Sequence, residues 1–241
     1  MMRRFGLPLI CLLVAAGCIR LGIWQVRRLK ERRAHNAELL SRMTQIPLDL
    51  DGPLPDSLTW RHATARGIYD FDHEILVTDR TQGGLPGVYV VTPLRLGSGR
   101  VVLVERGWLY SPDGRSANLQ QTREPAESTV RGVVTDVPAR GSGAPRSPND
   151  SVWPRTVRSL DLGDLTFNYA PITAVLRRDS LAAPTSGAFQ AIPAPALDDG
   201  PHLSYAIQWF SFATIALVGG GVWLTRKRGI LDEGQRAGDP V

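Results

Sequence analysis

Residues 203–224 read LSYAIQWFSFATIALVGGGVWL, and residues 5–26 read FGLPLICLLVAAGCIRLGIWQV. Each run matches the roughly 20 apolar residues that cross a hydrocarbon core of about 30 Å at about 1.5 Å per residue. Arg20 lies near the end of the first run, where its side chain can snorkel to the interface. Between the runs, the 241-residue chain is polar, broken by Pro and Gly, and short in its hydrophobic stretches. That pattern excludes both a wholly soluble protein and a polytopic transporter. It predicts two transmembrane helices around one central domain, with the lipid bilayer as a first partner. The expected boundaries are an N-terminal span over 1–26, a β-rich domain with a juxtamembrane helix over 27–202, a second span over 203–224, and a tail over 225–241.

Charge supports this division. The chain carries +5 overall, but residues 1–33 carry +7 and residues 225–241 carry +1, which leaves −3 for residues 34–224. The basic character belongs to the membrane flanks, and a mildly acidic middle gives no footing for nucleic acid. Both cysteines, Cys11 and Cys18, fall in the first run; they read as small buried thiols, and the central domain has no cysteine for a disulfide or a zinc site. Arg3 and Arg4 followed by an apolar stretch and Ala15-Ala16-Gly17-Cys18 also fit a signal peptide with a lipoprotein-like cleavage site. Helical character continuing through Leu21, Ile23, Trp24 and Val26 favours a retained span.

Arg226, Lys227 and Arg228 follow the second run and Asp198 and Asp199 precede it, so its C-terminal end is expected in the cytoplasm. With two spans the N-terminus lies there too, and the central domain is extracytoplasmic (periplasmic), on an inner or plasma membrane. The basic cluster Arg27, Arg28, Lys30, Arg32 and Arg33 then falls on the outer side, against the charge rule. Small residues stripe both runs, Cys11, Ala15, Cys18 and Gly22 on one and Ala206, Ala213, Ala216 and Gly220 on the other. Such stripes let helices pack closely in lipid.

Beyond the first run, an Arg-rich amphipathic helix is expected through about Arg42, with Leu29, Leu39 and Leu40 as apolar contacts, ended by Pro47 and the Pro/Asp/Gly cluster of 51–56. Strands are expected at Arg61–Tyr69, Glu74–Thr78, Val88–Leu94, Arg100–Glu105, Thr129–Thr135 and Ile172–Leu176, each short, rich in β-branched residues and bounded by Gly, Pro or Asp. A short helix is expected near Leu160–Leu165, a surface loop over 137–154, and an extended connector over 180–201. The fold class is therefore a membrane protein with two transmembrane α-helices flanking an extracytoplasmic, mainly antiparallel β domain, a sheet or a small barrel.

The sequence contains no HExxH, P-loop, GxSxG or CxxC motif, and its acidic residues form no evident dyad. The expectation is a protein without catalytic turnover. His35, His62 and His73 read as partly exposed surface histidines. Arg106-Gly107-Trp108 reads as a strand ending at a turn, with Trp108 in the core. His202 differs: at about 100° per residue, His202, Tyr205, Trp209 and Phe212 share one side of the second helix. Trp24, Gln25 and Arg28 lie at the same membrane depth on the first. An imidazole, flat rings and arginines at one level suit a haem, with its axial nitrogen, apolar macrocycle contact and cations for the propionates. An ordinary aromatic belt with basic anchors accounts for the same residues without a ligand.

Four stretches carry a further resemblance: Leu21-Gly22-Ile23-Trp24-Gln25 with Arg28, Gly87-Val88-Tyr89-Val90-Val91-Thr92-Pro93-Leu94, Val102-Leu103-Val104-Glu105-Arg106-Gly107-Trp108, and His202-Leu203-Ser204-Tyr205-Ala206-Ile207-Gln208-Trp209-Phe210. With weaker echoes at Arg66-Gly67 and Trp153, their order and the two-helix layout resemble the surfeit-locus-one family, which assists cytochrome c oxidase assembly. The sequence departs from the family at Glu105, where Asn is usual, and at Gly200-Pro201, where Asn or Glu commonly precedes the histidine. The resemblance implies a respiratory-chain chaperone that places haem a (heme a) into cytochrome c oxidase subunit I, with heme a synthase as a second candidate partner. It implies His202 as the haem-iron ligand, with Tyr205, Trp209 and Trp24 as neighbouring family positions. An assembly scaffold that holds no haem, and an unrelated membrane-anchored binding domain, are the competing readings.

Overall fold

Helix α1 runs unbroken over Gly6–Met43 and helix α2 over His202–Arg236 in a computed structural model, which describes residues 6–136, 153–160, 171–179, 189–194 and 197–236. The chain divides into a helical unit, Met1–Glu38 with Ala196–Val241, and a sheet unit, Leu39–Pro195. Both helices are long and apolar enough to cross a membrane.

In the helical unit the two small-residue stripes meet. Ala15, Cys18 and Ala213 form a buried cluster against Trp209 and Ala216. A Cβ at Gly22 would sit 2.7 Å from Phe210 Cε1, and one at Gly220 would sit 3.0 Å from Cys11 Cβ. These contacts place the start of one helix beside the end of the other, an antiparallel pair held by close backbone approach. Ser211 and Thr214 donate their hydroxyls to the carbonyls of Ile207 and Phe210, which satisfies polar groups that lipid could not. The apolar part of the second helix covers His202–Thr225, close to the expected span over 203–224, and the helix itself continues to Arg236. Of the three leucines expected as contacts on the first helix, Leu29 and Leu39 are buried and Leu40 is 51% exposed.

The described residues of the sheet unit form eight strands. They are β1 (Leu48–Asp49), β2 (His62–Tyr69), β3 (Ile75–Gln82), β4 (Leu85–Leu96), β5 (Val101–Tyr110), β6 (Glu127–Asp136), β7 (Arg155–Val157) and β8 (Pro171–Arg178). The order is β1-β2-β6-β8-β5-β4-β3-β7, and β2 also pairs with β4. That extra pairing, Gly67 opposite Leu96 through Tyr69 opposite Leu94, closes β2, β6, β8, β5 and β4 into a ring. The domain is thus a small five-stranded barrel with β3 and β7 extending from one strand and β1 from another. The sheet is mixed rather than mainly antiparallel, because β1–β2, β3–β7 and β5–β8 run parallel. Parallel partners are joined by long crossovers, which leave no signal in strand composition.

Inside the ring lie Leu50, Ala65, Leu94, Val102, Val104, Val130 and Leu176. At the β3–β4 hairpin, Gly83 and Gly84 both take positive φ (+59° and +80°), as a two-residue turn that follows the sheet twist requires. Strand β5 does not end at Arg106; it continues to Tyr110 with Trp108 1% exposed. The expected helix near Leu160–Leu165 and most of the 137–154 loop and 180–201 connector lie outside the described residues.

Candidate functional site

Helix α2 starts where Gly200, at φ +65°, turns the chain, and Pro201 offers its carbonyl to Tyr205 N at 3.2 Å and Ser204 Oγ at 2.8 Å. Gly200-Pro201 therefore still begins the helix at His202. The imidazole lies against Gly200, where a Cβ would be 3.5 Å from His202 Cδ2.

His202 Nδ1 is 2.9 Å from Gln25 Oε1 of α1. A carboxamide oxygen only accepts, so in this contact Nδ1 is the donor. Gln25 is buried and His202 half-buried. Sequence reading noted Gln25 at this depth but gave it no role; the pairing depends on the register of two helices 177 residues apart.

The remaining expected residues are arranged less tightly. Trp24 is 50% and Tyr205 47% exposed. Trp209 packs on the Ala15–Cys18–Ala213 cluster and meets Phe212 edge-on at 6.0 Å between ring centroids. Arg28 is held by Glu31, one turn along its own helix, at 2.7 Å. Two more arginines of the basic cluster that offended the charge rule have partners. Arg32 reaches the carbonyl and carboxylate of Asp198, Arg33 binds Asp199 at 2.8 Å, and Asn36 donates to the Asp198 carbonyl at 2.9 Å. The bond from Arg33 holds the Asp199 carboxyl below its usual range and raises Arg33.

With Nδ1 turned to Gln25, Nε2 is the nitrogen of His202 left for a haem iron, and the residues present fit that role. Among the described residues of the sheet unit, a cleft beside Trp60, Arg177, Arg178 and Asp179 measures about 70 Å³, enough for water or a small ion but not for a macrocycle.

The sheet unit's own polar centre escaped sequence reading. Arg106, 2% exposed, binds Glu74 at 2.9 Å and Glu124 at 3.2 Å, and donates to the Thr122 carbonyl. Its guanidinium stacks over Tyr69, Phe71 and Phe189 at 5.2, 5.1 and 4.9 Å. Glu124 also binds Arg178 at 2.8 Å. Burial raises Glu74 despite Arg106; at Glu124 burial pushes the same way, but Arg178 and Arg106 outweigh it and the carboxyl falls below its usual value. Trp108 crosses the bare face of Gly87, where a Cβ would lie 2.5 Å from the Leu109 carbonyl, and Gly107 admits the Phe189–Gln190 segment. The departure at Glu105 is an ion pair with Arg177 at 2.6 Å. Of the other histidines, His35 is exposed, His62 lies 3.7 Å from Asp179, and His73 bonds Asp70 at 2.9 Å and meets Trp153 edge-on.

Two helices long and apolar enough to cross a membrane enclose, in sequence, a small mixed β-barrel, and the motifs now have places: two in the barrel wall, two in the helix pair. The chain belongs to the SURF1 family, whose model matches residues 12–214. It is 32% identical over 150 residues to the cytochrome oxidase assembly protein SHY1 of Saccharomyces cerevisiae, a match covering 55% of this chain and 37% of the yeast protein. It is 26% identical over 237 residues to a SURF1-like protein of Monosiga brevicollis, covering 91% and 87%. With surfeit locus protein 1 of Rattus norvegicus it shares 31% identity over 160 residues, 59% of this chain and 52% of the rat protein.

Proposed function

We propose that this chain is a membrane-embedded assembly factor for cytochrome c oxidase that carries haem a transiently and hands it to subunit I. The observation that carries the reading is His202, held through Nδ1 by Gln25 where α2 begins in a packed helix pair. Family membership supports the oxidase as the complex served. His202 would hold the iron of haem a, Trp24, Tyr205 and Trp209 would offer flat contact, and Arg28 would offer a cation for a propionate. A single imidazole ligand suits a carrier that must release what it holds. In this reading both helices cross the inner membrane, both termini are cytoplasmic and the barrel is periplasmic, where subunit I and heme a synthase are the partners.

A second reading, a scaffold that holds no haem, draws on the outward aromatic surface of the helix pair, with Trp24, Tyr205 and Phe212 each about half exposed. Such a surface can pack against nascent subunit I. Deleting the gene separates the two. A carrier leaves oxidase depleted in haem a, a scaffold leaves less oxidase with normal haem content, and unchanged oxidase activity contradicts both.

A further inference from the structure

The geometry points to Gln25 as a positioning residue that holds His202 in the Nδ1–H tautomer, so that Nε2 is the atom presented to a haem iron. This rests on the carrier reading above and goes beyond it, by assigning which nitrogen ligates and what fixes it.

Three observations converge. The Nδ1–Oε1 distance of 2.9 Å is that of a good hydrogen bond, and the carboxamide oxygen has no proton to give. Gln25 is 9% exposed, so water competes little for its oxygen. The bond is also held from both sides. On the helix ends, Arg32, Arg33 and Asn36 tie α1 to Asp198 and Asp199. On the membrane side, Gly22 packs under Phe210 and Ala15 and Cys18 pack against Ala213. The register that brings residue 25 to residue 202 is therefore set independently of the bond itself. Ligating histidines commonly donate their second N–H to an oxygen, and that outer partner fixes tautomer and ring orientation while raising donor strength. Here a neutral amide fills the place often held by a carboxylate. It orients the ring without making the imidazole a strong donor, which matches a ligand that must let go.

The test uses the full chain in detergent, with ¹⁵N-labelled histidine and purified haem a as the probe. At a pH where the imidazole is neutral, the His202 ring nitrogens, assigned by their loss in H202A, should report a proton on Nδ1 in the free protein. Q25L, of similar volume but without an acceptor, should shift His202 towards the Nε2–H form and weaken haem a binding about 10–100-fold. Q25E should keep the tautomer, restore binding and lower the midpoint potential of the bound haem, which a packing role alone would not do. A wild-type His202 protonated on Nε2, or Q25L binding haem a as tightly as wild type while H202A does not, overturns the inference and leaves the carrier reading standing. Binding that H202A does not alter overturns both.

Discussion

Arg106 sits with no side-chain exposure between Glu74 and Glu124, and a charge so placed is tolerated only because it is paired on several sides. Removing it strands the buried Glu74 carboxylate and leaves Glu124 to Arg178 alone. R106M should destabilise the barrel by about 3–5 kcal/mol, read as an early midpoint in urea unfolding; a loss below about 1 kcal/mol would show the network to be dispensable. Beside it, burial first and the Glu124 charge second push the Tyr69 phenol up to about 12, against Arg106 and Arg178. The unfolded phenol titrates near 10, so between these values the folded state holds the extra proton. Stability is unaffected below about pH 10 and falls as pH rises towards 12, by about 2–3 kcal/mol in total. Comparing Y69F with wild type across that window isolates the effect, and parallel curves would refute it. None of this was legible in advance. Arg106 stands at the end of an apolar run, and its partners lie 32 and 18 residues away in sequence, so only the folded register joins them.

At the scale of elements, the helix pair offers the most direct check of register. Gly220 faces Cys11 closely enough that a Cβ there would lie 3.0 Å from Cys11 Cβ and 3.5 Å from its sulfur. Disulfides need Cβ atoms about 3.5–4.5 Å apart, so a shift under about 1 Å lets G220C bond to Cys11. Mild oxidation of G220C, followed by proteolysis in the sheet unit, should leave the two helices linked on a non-reducing gel. G219C, with open space at that position, should not link, and equal linkage in both would contradict the register. The helices were readable because apolar length and small-residue spacing are local properties. All six expected strands were found, most one to five residues longer at an end, because β-branched runs bounded by turn residues are local too. What stayed hidden was pairing. The two-residue β1 and three-residue β7 join their partners in parallel and carry no pattern of their own, and barrel closure depends on three residue pairs between β2 and β4.

The whole molecule divides its four motifs between two tasks. Gly87, Thr92, Arg106 and Trp108 build the barrel interior: Thr92 donates to Glu74 at 3.0 Å, Glu74 pairs with Arg106, and Trp108 lies across Gly87. Gly22, Gln25, His202 and Phe210 build the end of the helix pair. The first group holds the barrel interior together, and the second joins the two helices. Arg32 and Arg33 pair with Asp198 and Asp199, so part of the basic cluster that follows the first apolar run is offset locally. Such exposed pairs are worth at most about 1 kcal/mol each; their role is neutralisation and register rather than stability. The most direct measurement of the central claim is the absorbance spectrum of the full chain purified from cells that make haem a. Wild type should carry a bound-haem spectrum that H202A loses while both proteins unfold at the same temperature; an identical haem spectrum in H202A would contradict the assignment of His202 as the ligand.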